Sequence, residues 1–119
     1  MTNNKNPQYE EIQPRSRIRL EEDFASGDPT VISEALYSAA QHEPEWRWTQ
    51  ARCLEMLRHE SLLVRSSSLI ALGEIALFRG ELDVETVVLE MQKLSKDPAL
   101  APYVEDALDN IRAAGFELR

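Results

Sequence analysis

The sequence predicts an all-α fold built from about three stacked helical hairpins. Three observations carry this. Leu, Ala, Glu and Arg dominate the chain, while three Phe, three Tyr and four Gly leave little for strands or hairpin turns. Apolar residues recur with the 3.6-residue period of a helix from Arg17 to Ala114. An Ala-Leu pair recurs at Ala35-Leu36, Ala71-Leu72 and Ala107-Leu108, two steps of 36 residues each.

Each element has its own signals. Residues 1–15 are polar, with no apolar period, and read as a flexible tail ahead of a helical domain over 16–119. The first helix is expected over about Arg17 to Ser26, with Ile18, Leu20 and Phe24 on one side and Gly27 as its stop. Asp28 caps the second, Pro29 fits its first turn, and it runs to about His42. The third opens at Pro44 and reaches about His59. Ser61 caps the fourth, which ends near Phe78 at Arg79-Gly80. Asp83 caps the fifth, to about Ser95, and the sixth covers about Pro102 to Ala114, closed by Gly115. A single helical hairpin cannot bury its own apolar faces. Stacking copies in one direction builds a continuous core, with Ala allowing close approach and Leu filling the space beside it.

The central stretch LLVRSSSLIALGEIA, residues 62 to 76, resembles the second helix of a HEAT repeat. The matching features are Val64-Arg65, the small residues Ser66 to Ser68, then Ala71-Leu72-Gly73 and Ile75. Leu54 and Leu57 would belong to the paired first helix. The flanking units keep the Ala-Leu pair but lack Val-Arg, as terminal repeats that turn a polar face outward often do. The resemblance covers about residues 16 to 115. It implies an armadillo-type, short right-handed α–α superhelix and a binding scaffold for another protein. A minority of HEAT-like proteins act in enzyme complexes or as bilin lyases, so the resemblance alone does not assign the function.

Charge narrows the partners. The formal net charge is -8. Nucleic acids and anionic membranes are disfavoured, because both are bound mainly through Lys and Arg. A basic protein would be attracted and its association accelerated. The one cysteine, Cys53, permits no internal disulfide and fits a reducing compartment. The N-terminus has no apolar region of a signal peptide, and no apolar run approaches the roughly 20 residues of a membrane span. A cytoplasmic location is expected.

No reaction is legible. Cys53 shares a stripe with Trp46 and Leu57, which reads as core. His42 and His59 fall near helix C-termini, where the dipole favours them. No metal-ligand spacing or glycine-rich phosphate loop occurs. No catalytic residue, metal or cofactor is therefore expected.

The expected binding face lies opposite the Ala-Leu core. Stepping about 100° per residue groups Thr30, Glu34, Tyr37 and Gln41 on the second helix. Adding 36 gives Ser66, Ile70, Gly73 and Leu77, then Pro102, Asp106 and Asp109. Residues 80–119 hold nine acids and four bases, so -5 of the -8 lies there. A groove of Tyr37, Ile70, Leu77, Asp106 and Asp109 would suit a partner with an apolar anchor and basic neighbours. Trp48 shares a stripe with Arg52, Glu55 and His59 and is a second candidate, since Trp is enriched among interface hot spots. The leading expectation is a non-catalytic protein-interaction module, an adaptor or accessory subunit. The alternative is a bacterial immunity protein that inhibits a cognate toxin, often a basic nuclease. An enzyme or HEAT-like lyase ranks third.

Overall fold

Six helices account for all the regular structure among the described residues, 11–118 of the computed structural model. They are α1 (Arg17–Phe24), α2 (Pro29–His42), α3 (Trp46–Met56), α4 (Leu62–Arg79), α5 (Val84–Leu94) and α6 (Ala101–Ala113). The caps are local in origin. Ser16 accepts from the Arg19 N–H, Asp28 from those of Thr30 and Val31, and Ser61 from that of Val64. Each satisfies a donor that the first helical turn leaves open. Gly80 ends α4 at φ 68°, a left-handed conformation that costs a residue with Cβ.

Two boundaries differ from expectation. Helix α3 starts at Trp46 rather than Pro44. Glu43, just before the proline, is extended at φ -73°, ψ 123°, as proline demands of its predecessor. Asp83 precedes α5 but makes no side-chain cap. Its carboxylate instead accepts from Gln50 Nε2 at 2.8 Å, while Gln50 Oε1 accepts from the Asp83 N–H at 2.9 Å. A buried glutamine on α3 thus fixes the entry to α5.

The first residues described are held in place. The Ile12 carbonyl lies 2.7 Å from His42 Nε2, and Ser38 Oγ donates to the Gln13 carbonyl at 2.7 Å. Arg15 pairs with Asp23 at 2.7 Å. Residues 11–15, expected as tail, therefore lie along α2; the rest of that stretch is outside the described residues.

Helices α2, α4 and α6 form one layer. α4 packs against both neighbours, which have no substantial contact with each other. α1 packs on α2, α3 on both α2 and α4, and α5 on α6, giving a second layer. Ser33 meets Ser67, and eight residues further along Gln41 meets Glu74, so α2 and α4 run in the same direction. The Ala-Leu pairs are core: Ala35, Leu36, Ala71 and Leu72 are wholly buried, Ala107 nearly so. Leu108 is only part-buried against the core, at the end of the layer where no further helix covers it.

Gly73 explains how close α6 comes. A Cβ there would stand 3.2 Å from Asn110 Cβ and 3.3 Å from Ala107 Cα. A larger side chain would push α6 off α4, and such overpacking costs typically about 1–3 kcal/mol.

Candidate partner-binding surface

The open face of the α2–α4–α6 layer is built around α4. Leu63, Ile70 and Leu77 stand seven residues apart, so they drift only about 20° per step along one side of the helix. Leu63 and Leu77 are each 45% exposed and Ile70 is part-buried. On one flank is α2. Tyr37 is part-buried there and its hydroxyl donates to Ser67 Oγ at 3.1 Å. Ser33, Ser67 and Tyr37 form a polar seam that joins the two helices beneath the face. On the other flank, α6 contributes Asp106 and Asp109, both exposed.

The expected groove is thus partly assembled and partly redistributed. Ile70, Leu77 and Asp106 share the open face, with Tyr37 at its α2 edge. Asp109 lies about 60° further round α6, away from α4, and bonds Arg112 at 2.9 Å. Ser66 and Gly73, expected on the same face, are buried. Gly73 is taken up by contact with α6.

Glu74 and Leu63 were not expected on this surface. Each could have been found on the wheel: Glu74 lies one turn after Ile70, and Leu63 two turns before it. Glu74 is part-buried and accepts from Gln41 Nε2 at 3.4 Å. Among the described residues no Lys, Arg or His lies within ion-pairing distance of it. Burial pushes its carboxyl above the ordinary value of 4.5, partly offset by the Gln41 hydrogen bond. The folded protein therefore holds a proton there more readily than the unfolded chain does. That contribution to stability is full below pH 4.5 and is lost as pH rises through the raised folded value. Burial thus makes the ionised form of Glu74 a cost to the free protein.

The cations lie elsewhere. Helix α2 carries no Lys or Arg. The two arginines of α4 are engaged at its ends, Arg65 with the His59 and Glu60 carbonyls and Arg79 with the Gln41 carbonyl. On the opposite layer Arg17 pairs with Glu43 at 2.8 Å, and Arg52 with Glu21 and Glu55. Trp48 belongs to that side. Its ring centroid lies 4.0 Å from the Arg17 guanidinium and 6.0 Å from the Phe24 ring. It packs, half-buried, on a small cluster of Leu20, Ala35 and Ala39, while one edge opens to a cleft with Arg52, Arg58 and Glu90. Trp48 and the Ile70 face are therefore two separate surfaces.

The residues considered for chemistry have structural places. Cys53 is wholly buried and burial pushes its thiol far up, with the Glu74 charge adding to this. His59 Nδ1 accepts from the Ser61 N–H at 3.0 Å, and His42 faces the Ile12 carbonyl. A thiol-reactive chromogenic disulfide should leave the native protein unlabelled over an hour at pH 8 and label one thiol per chain in denaturant. Rapid native labelling would mean that Cys53 is not in the core. Among the described residues, no group of three or more His, Cys, Asp or Glu is arranged to hold a metal, and no helix is long and apolar enough to cross a membrane.

No protein-family model matches the chain, and no curated protein matches it. Among solved structures it is similar to a chain in the crystal structure of a CDI (contact-dependent inhibition) complex from Cupriavidus taiwanensis LMG 19424. The TM-score is 0.80 and the identity 28%, over 91% of this chain and 97% of the other. The two therefore share a fold along nearly their whole lengths.

Proposed function

We propose that this chain is the immunity protein of a contact-dependent inhibition pair, a non-catalytic protein that binds a toxin and blocks it. The observation that carries this reading is the full-length likeness to a chain of a CDI complex. It favours the immunity reading over the more general adaptor or accessory subunit that the sequence put first. Two features support the inhibitor's side of such a pair over the toxin's. It is strongly acidic, with a net charge of -8. Its thiol and both imidazoles are committed to packing or backbone hydrogen bonds. The hairpin layer, HEAT-like in this reading, acts as the scaffold, and the location is the cytoplasm.

The test is co-expression with the product of the adjacent gene, which this reading takes to be the toxin. The toxin alone should stop growth, this chain alone should not, and the two together should restore growth and co-elute as a complex. Growth arrest by this chain alone would place it on the toxin's side. No protection and no complex would remove it from the pair.

A further inference from the structure

We infer that Glu74 is the anchor for one lysine or arginine of the toxin, received on the open α4 face between Ile70 and Leu77. This rests on the immunity reading and specifies its binding surface. Three placements lead to it. Glu74 borders the apolar strip on its α2 side, one turn after Ile70 and three residues before Leu77. Its one side-chain hydrogen bond among the described residues is from neutral Gln41. The surrounding face is short of free cations: α2 has no Lys or Arg, Arg15 at its outer edge is paired with Asp23 and Glu34, the arginines of α4 are held by backbone carbonyls, and α6 adds exposed Asp106. The same face therefore offers an apolar footing, a negative field and a carboxylate without a charge partner.

A glutamine at this place would keep a hydrogen bond to Gln41 and avoid burying a charge. The acid is the costlier choice for the free protein, as its raised proton affinity agrees. An incoming cation changes that balance. It supplies the opposite charge just as the partner's surface excludes water, where a charge-assisted hydrogen bond is stronger than a neutral one. Leu77, 45% exposed, and part-buried Ile70 would flank the cation's aliphatic stem. Partial burial in the free protein also preorganises the carboxylate, since Gln41 holds it before the toxin arrives.

The experiment compares wild type, Glu74→Gln and Glu74→Asp for binding to the product of the adjacent gene, taken as the toxin on this reading, by calorimetry at pH 7.5, with thermal unfolding of each free protein. Glu74→Gln should raise Tm yet weaken binding by about thirtyfold or more, as loss of one member of a desolvated charge pair does. Glu74→Asp, which keeps the charge at a shorter reach, should bind between the two. A role confined to holding α2 against α4 predicts another pattern: binding should follow Tm, and Glu74→Gln should preserve both. Affinity of Glu74→Gln within twofold of wild type would overturn the anchor while leaving the immunity reading intact. Failure of the wild type itself to bind the toxin would overturn that reading instead.

Discussion

Leu72→Ala should cost about 2–5 kcal/mol, the range for truncating a well-packed core leucine. Leu72 is wholly buried at the middle of α4, the helix that joins the α2 and α6 sides of the core. Its neighbours cannot close the space without moving helices held elsewhere: Gly73 sets the approach of α6, and the Ser33–Ser67 contact ties α2. Domains of this size have about 5–15 kcal/mol in all, so the loss is a large share. It corresponds to a fall in Tm of roughly 8–20 °C. Denaturant unfolding of the two proteins measures it directly. A loss under about 1 kcal/mol would contradict the packing of Leu72. Leu108→Ala should cost less than Leu72→Ala, because Leu108 keeps part of its surface in water.

On the toxin reading, reversing the charges at Asp106 and Asp109 should slow association by about tenfold or more at low salt and flatten its salt dependence. Both carboxylates are exposed, on the helix nearest the most acidic third of the sequence. They can steer a basic partner without being buried by it. Truncating Ile70 or Leu77 to Ala should act on the other rate, speeding dissociation, because apolar contacts set residence time. Leu77 is the cleaner probe. It is 45% exposed in the free protein, so its loss removes little from the core. Binding kinetics on immobilised toxin would separate the two effects, with Tm checked for each variant. Unchanged rates in all of them would move the interface to the cleft beside Trp48 and Arg52.

What was legible in the sequence was whatever local chemistry decides. The number of helices, the caps at Asp28 and Ser61, and the glycine ends follow from residues within a few positions of each boundary. The core assignment of Ala35, Leu36, Ala71 and Leu72 followed from spacing alone. The failures came where a distant residue intervened. Asp83 looks like a cap, but Gln50, 33 positions away, takes both its carboxylate and its N–H. Residues 11–15 look like free tail because their bonds to Ser38 and His42 use backbone carbonyls, which no sequence pattern marks. The binding face was drawn by adding a fixed 36 to one wheel. That step cannot show that Gly73 is consumed by α6 or that Glu74 takes its place on the surface. Trp48 was read from its polar stripe-mates. One of those mates, Arg52, lies over its ring, and Arg17 from α1 lies closer still, so an indole that looked solvated is partly covered.

The chain of contacts α2–α4–α6 gives the molecule a middle and two ends rather than one centre. Because the outer helices meet chiefly through α4, either end is expected to open with the other half in place. Such opening gives graded protection of amides against exchange, with α4 the slowest region and the ends the fastest. A partner lying across the open face would touch helices from both halves at once. It would tie together two ends that the free fold joins chiefly through α4, and opening that is piecemeal in the free protein should become a single event in the complex.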